Sequence, residues 1–227
     1  VMWVAVAPAL LAVAVLIVGV HEPAGAARPA GARSPVMLAT ARRLPRSLWL
    51  VVALGGVFTL ARFSEAFLVL RAQEVGLGLG YVPMVLIAMN AVYATAAYPA
   101  GVAADRFSRR ALLAAGLLVL VAADLVLAAA ESPPLAFVGA GLWGLHMGLT
   151  QGLFAKLVAD SAPADLRGTA FGIFNLAVGV ALLLASAIAG ILWSRFGAPA
   201  TFLAGAVFAL IALLGLFAGG GLRRHRN

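Results

Sequence analysis

The 227-residue chain is 64% apolar and only 11% charged, with a mean hydropathy of +1.07. Soluble domains run at roughly 45–50% apolar and about 25% charged, which excludes a water-soluble enzyme, a disordered tail and a nucleic-acid binder. The formal charge of +8 sits in short clusters between long apolar runs, and the absence of cysteine removes disulfides and thiolate metal sites.

Seven apolar runs reach the roughly 20 residues that a bilayer requires: residues 2–20, 47–70, 81–104, 111–130, 134–156, 168–193 and 200–220. Backbone groups in lipid must be satisfied internally, and the alternation of a membrane barrel is missing, so these runs are expected to be helices. The first precedes Ala24-Gly25-Ala26, which resembles a signal cleavage site. No Lys or Arg lies before it and its apolar core is too long for a signal peptide, so a true span is expected. A chain that opens on Val1 also points to sequence upstream. Residues 21–46, with Pro23, Pro29, Pro35 and Pro45 among many alanines, have the composition of a flexible linker.

The second run carries Arg62 and Glu65 at i, i+3, on one face if the helix is continuous. Intramembrane charges cost at least about 2.5–3.5 kcal/mol each, so the two read as an internal ion pair, a substrate or proton site, or both. Asn90 and Tyr93 in the third run are cavity candidates or interhelical hydrogen bonders. Asp124, in the fourth run near its outer end, reads as interfacial. In the fifth, Trp143, His146, Thr150, Gln151 and Phe154 fall within an arc of roughly 140° that is expected to face something wet. Gly144, Gly148 and Gly152 form a separate ridge suited to close helix packing. His146 is either a proton carrier near neutral pH or a neutral hydrogen-bonded histidine. Asn175 in the sixth run is a further cavity candidate.

Thirteen Lys and Arg residues fall in the 21–46, 105–110 and 156–167 segments and the C-terminal tail, against Arg71 and Arg195 on the other side. The positive-inside rule then places residue 1 outside and the C-terminus in the cytoplasm. Ala100-Gly101 and Arg106-Phe107 recur 89 residues later as Ala189-Gly190 and Arg195-Phe196. The same offset carries the start of the second run close to that of the fifth, and Arg62 onto Gln151. Three helices repeated from the opposite side of the membrane make an inverted 3+3 repeat, a pattern of secondary transporters.

The segment Gly101-Val102-Ala103-Ala104-Asp105-Arg106-Phe107-Ser108-Arg109-Arg110 resembles the signature loop Gly-x-x-x-Asp-Arg-x-Gly-Arg-Arg/Lys of the major facilitator superfamily, with Ser108 where the family usually has glycine. Pro163-Ala164-Asp165-Leu166-Arg167-Gly168-Thr169-Ala170-Phe171-Gly172 resembles the start of that family's helix 11. The resemblance covers essentially the whole chain. It implies an all-α membrane protein of seven transmembrane helices, six of them the C-terminal half of a twelve-helix fold. Residues 1–20 would be the last helix of a truncated N-terminal half, 21–46 the cytoplasmic linker, 47–220 the six-helix half and 221–227 a basic cytoplasmic tail. It also implies that Gly101, Asp105, Arg106, Arg109 and Arg110 form a gating loop. Asp105 would accept from amides at a helix N-terminus, and the arginines would bridge neighbouring helix ends or lipid phosphates.

The expected function is secondary transport of a small organic molecule by alternating access, with proton-coupled efflux preferred in a bacterial cytoplasmic membrane. Arg62, Glu65, Asn90, Tyr93, Trp143, His146, Gln151 and Asn175 would form the substrate and proton pathway, with Glu65 the coupling carboxylate. The partners expected are the small-molecule substrate, protons, the lipid bilayer and the missing N-terminal half, with no nucleic acid. No catalytic residue, metal or cofactor is expected. A microbial rhodopsin needs a lysine mid-way along the last helix, but Lys156 is the single lysine and ends the fifth run. The motifs of an intramembrane hydrolase are absent. A non-transporting membrane scaffold, or an importer of a small anionic metabolite, remains as the alternative.

Overall fold

A computed structural model describes residues 2–19 and 43–218. The greater part of the 21–46 linker and the whole 221–227 tail lie outside the described residues. The chain divides into two compact units, residues 1–37 and 38–227. The first contains α1 (Met2–Gly19), an apolar helix without an acidic or basic cap.

Among its described residues the second unit contains helices and turns and no strand. Its elements are α2 (Arg46–Leu60), α3 (Ala66–Glu74), α4 (Val82–Arg106), α5 (Arg109–Ala128), α6 (Pro133–Ser161) and α7 (Arg167–Ala218), with single 3₁₀ turns at Leu79–Tyr81 and Ala164–Leu166. The segments Leu79–Arg106, Arg109–Ala128 and Ala164–Phe217 are long and apolar enough to cross a membrane. The helices do not map one-to-one onto the seven apolar runs.

The second run is two helices, because residues 61–65 unwind. Thr59 Oγ1 donates back to the Gly55 carbonyl at 2.8 Å, a bond that bends helices, and the Arg62 amide closes a tighter turn onto Thr59 O at 3.0 Å. The Ser64 amide leaves the ladder altogether and donates to Ser186 Oγ of α7 at 3.1 Å. Arg62 and Glu65 therefore stand in a break rather than on one face of a helix. Nor do they form an ion pair: the three among the described residues are Arg71–Glu74, Arg109–Asp160 and Lys156–Asp105.

The last two runs are joined in α7, which turns at Gly197 (φ 81°, ψ 177°) into limbs 167–196 and 198–218. This backbone region is essentially closed to side chains with a Cβ, and Pro199 follows with its fixed φ. A Cβ at Gly197 would meet nothing nearer than Pro199 Cδ at 3.8 Å, so only the conformation resists substitution. Gly197→Ala is expected to lower stability by about 1–3 kcal/mol, read as a lower melting temperature in detergent. An unchanged melting temperature would show that the turn does not depend on this φ.

Helix α6 is the hub, packed on α4 and α5, while α7 packs chiefly on α5 and α2. Its glycines explain the closeness. A Cβ at Gly144 would stand 2.1 Å from the Met89 carbonyl oxygen of α4, and one at Gly148 would stand 2.7 Å from Ala96 Cβ. A Cβ at Gly139 would stand 2.5 Å from Leu127 of α5. Gly152, the last of the expected ridge, has open space over it. Large apolar side chains such as Leu183, Ile191, Leu203 and Leu214 point outward from α7, the arrangement a lipid-facing helix requires.

Candidate functional site

The break between α2 and α3 opens onto a cavity of about 260 Å³. Its polar lining is Thr59, Arg62, His146, Thr150, Gln151 and Asn175, and its aromatic wall is Phe58, Phe154, Phe171 and Phe174. Four elements converge there: α2, the unwound segment, α6 and the first limb of α7. Arg62 is the formally charged residue in this lining. Unwinding separates two neighbours: Arg62 reaches the cavity, while Phe63 enters an aromatic cluster, its ring 5.1 Å from Phe67, 5.3 Å from Trp143 and 5.4 Å from Phe202. On the cavity side Phe154 meets Phe58 edge-on at 5.0 Å and lies 6.0 Å from Phe174. Gly55 makes room for that ring, since a Cβ there would stand 2.5 Å from Phe174 Cε2.

His146 is 3% exposed, and its Nδ1 lies 2.8 Å from the Gly116 carbonyl oxygen of α5. A carbonyl only accepts, so Nδ1 donates and Nε2 is the free ring nitrogen. The Thr150 hydroxyl is bonded within its own helix, to His146 O at 2.8 Å. Gly116 fits under this pair, since a Cβ there would stand 2.3 Å from Thr150 Cγ2.

Of the eight pathway residues read from sequence, Arg62, His146, Gln151 and Asn175 are gathered here. Glu65 lies at the far end of the break, half-buried and outside this lining. Asn90 is exposed on α4 and donates to its own helix at Leu86 O, 2.8 Å away. Tyr93 lines a different groove of about 270 Å³ between α4 and α6, with Gly101, Asp105, Gly152 and Lys156. Trp143 corrects the expected wet arc: it is fully buried against Phe63, one turn before the residues that face the cavity. Thr59, Thr150 and the four phenylalanines also line it; of these, Thr150 and Phe154 stood out in the sequence through the helical arc, and Phe171 within the segment 163–172.

The loop at residues 101–110 ties helix ends together. Lys156 Nζ donates to Asp105 Oδ1 at 2.9 Å, and Arg109 Nη2 to Asp160 Oδ2 at 2.6 Å. Arg110 donates to the Leu216 and Phe217 carbonyls that end α7, with its guanidinium 5.2 Å above the Phe217 ring. Asp105 corrects the expected helix N-terminal role. It lies in the last turn of α4 and serves a lysine, while the cap of α5 is Ser108, whose Oγ accepts from the Ala111 amide at 3.2 Å. Ser108 is extended (φ −66°, ψ 137°), so this turn has no need of glycine. Gly101 borders the α4–α6 groove with open space above it, and Arg106 is exposed at the end of α4.

The family model of the Major Facilitator Superfamily matches residues 66–226. The chain belongs to the major facilitator superfamily. It is 36% identical over 183 residues to an uncharacterized MFS-type transporter of Methanocaldococcus jannaschii, an alignment that takes in 78% of this chain and 46% of that protein. The chain thus spans about half the length of this relative. Among solved structures, the POT family transporter PepTSo superposes with a TM-score of 0.63 at 18% identity, over 81% of this chain and 39% of that one. An auto-inhibited POT family peptide transporter superposes with a TM-score of 0.61 at 19% identity and the same coverage. At such identities the superpositions establish the fold: this major facilitator chain has the helical architecture of part of a transporter.

Proposed function

We infer that the chain is the C-terminal half of a secondary transporter that exports a small organic molecule in exchange for protons, by alternating access around the Arg62 cavity. The observation that carries this reading is the cavity itself. A discontinuous helix presents Arg62, with Gln151 and Asn175, opposite a wall of phenylalanines, and broken helices are where transporter sites form. One cation facing aromatic rings suits a small aromatic acid. The same arginine favours, as a second reading, import of a small anionic metabolite, and the direction of flux separates the two. Residue 1 would be outside and the C-terminus cytoplasmic, in a cytoplasmic membrane, with the loop around Asp105 and Lys156 on the cytoplasmic face. Exposed ion pairs there contribute under about 1 kcal/mol each, which suits contacts that break and re-form during gating.

The test uses the complete transporter, this chain with the half it lacks, in proteoliposomes under an imposed pH gradient and challenged with a panel of small aromatic acids. Gradient-dependent flux is expected, at least about tenfold lower in Arg62→Gln, the loss of one charge-assisted bond of about 1.5–3 kcal/mol. Glu65→Gln is expected to abolish the gradient dependence while sparing substrate binding. The 227-residue chain alone is expected to give no flux above empty vesicles, because rocking needs two halves. Flux that ignores both the gradient and Arg62 would contradict the reading.

A further inference from the structure

Asp124 takes no part in the site described above, and its surroundings are unusual for an aspartate. Rather than lying at the interface, it is fully buried in α5. Neither carboxyl oxygen has a hydrogen-bond partner, and none of the ion pairs among the described residues includes it. The carboxyl is wedged against the second limb of α7. A Cβ placed on Gly205 would stand 2.8 Å from Asp124 Oδ2 and 3.0 Å from Phe63 Cε1. Helices α5 and α6 run antiparallel, with Leu127 beside Gly139 and Gly116 beside Thr150, so Trp143 stands at the level of Asp124. Among the described residues, Trp143 Nε1 is the other buried polar side-chain atom without a partner. Across Gly205 lies a cavity of about 120 Å³ that Phe63 and Thr201 also line.

The charged groups on the elements packed around this point are committed elsewhere, exposed at helix ends as Glu131 and Arg195 are, or absent. Arg62 turns to the main cavity, and Glu65 lies beyond Phe63 at the end of the break. Arg71 of α3 is bonded to Glu74 and to carbonyls at the end of α5. His146 of α6 is bonded to Gly116 O, and residues 198–218 contain no charged or titratable side chain. An isolated carboxylate without a partner in such a medium is heavily penalised, and such a group neutralises instead.

We propose that Asp124 is an intramembrane proton-binding site separate from the Arg62 cavity, held as the neutral carboxylic acid, and that its proton keeps the second limb of α7 seated on α5. Release of the proton leaves an unpaired charge in the α5–α7 contact. The limb then moves off about the Gly197 turn, hydrating the carboxylate through the adjoining cavity.

The test is infrared spectroscopy of the 227-residue chain in lipid, with aspartate carrying carbon-13 in its side-chain carboxyl. At mildly alkaline pH an isotope-shifted band of a protonated carboxylic acid is expected in the wild type and is expected to vanish in Asp124→Asn, which leaves Asp105, Asp160 and Asp165 in place. Absence of that band from the wild type, or its survival in Asp124→Asn, would overturn the assignment; the first outcome requires no variant to fold. Hydrogen exchange reads the second clause. As rising pH removes the band, amide exchange in residues 198–218 is expected to accelerate at least tenfold in the wild type and to stay constant in Asp124→Asn. Exchange that stays constant in the wild type while the band titrates would overturn the link to the α7 limb.

Discussion

Gly144→Ala is expected to destabilise the six-helix unit by about 3 kcal/mol, the upper end of what overpacking costs in a close-packed interior. The new Cβ would stand 2.1 Å from the Met89 carbonyl oxygen and 3.0 Å from its carbonyl carbon. Those are backbone atoms of α4, so no rotamer change relieves the clash and the two helices must separate along their most extensive contact. Gly152→Ala, eight residues along the same helix, is the matched control. Nothing lies within 4 Å of a Cβ there, and the substitution is expected to be neutral or to stabilise by up to about 1 kcal/mol through the unfolded chain. Reversible unfolding of both variants in mixed micelles measures the difference. Equal effects at the two positions would mean that α4 and α6 are not in backbone contact.

Arg71→Ala is expected to cost a similar amount, about 3 kcal/mol, through a different mechanism. The side chain is 7% exposed. Its Nε donates to Leu127 O at 2.9 Å, its Nη2 to Ala128 O at 3.2 Å and Ala130 O at 2.8 Å, and its Nη1 to Glu74 Oε2 at 3.0 Å. One guanidinium thus caps the carbonyl end of α5 and pins α3 to it. Each hydrogen bond to a charged group is worth roughly 1.5–3 kcal/mol, and stripping the donor leaves buried acceptors unserved. Glu74 is half exposed, so water takes over its charge and the loss stays below the sum of the parts. Arg71→Lys should recover less than half, because a single ammonium cannot reach this fan of acceptors. Arg195, exposed and in none of the ion pairs among the described residues, should tolerate alanine within about 0.5 kcal/mol. The same denaturation assay ranks all three.

Arg71 also marks where sequence reasoning stops. At the end of an apolar run it reads as a loop charge, and nothing local reveals that the carbonyls it serves lie 56 to 59 residues away. The break at residues 61–65 is hidden for the same reason, since the Ser64 amide is drawn out of the helix by a serine 122 residues further on. Asp124 looks interfacial by its place near the end of a run; only the packing of α7 on α5 buries it. What is legible depends on local rules. The glycine spacing on α6 announces close packing at Gly144 and Gly148, and the polar arc on the same helix places four of its five members in the cavity. Trp143, first in that arc, lies a turn too early and joins the core. The loop from Gly101 to Arg110 is legible because its residues are consecutive, yet Lys156 and Asp160, which complete it, are supplied by α6.

A transport cavity beside Arg62, as proposed, is filled by water and is not a crevice that lipid fills. The chain contains no cysteine, so single cysteines introduced into it report cleanly on a water-soluble maleimide once any cysteine of the partnering half has been replaced. Gln151→Cys and Asn175→Cys, which line the cavity, are predicted to react in native membranes. Leu183→Cys and Leu214→Cys, each 69% exposed on the outer face of α7, are predicted not to. Reaction at neither cavity position, or equal reaction at all four, would show that the space beside Arg62 is not a water-filled pathway.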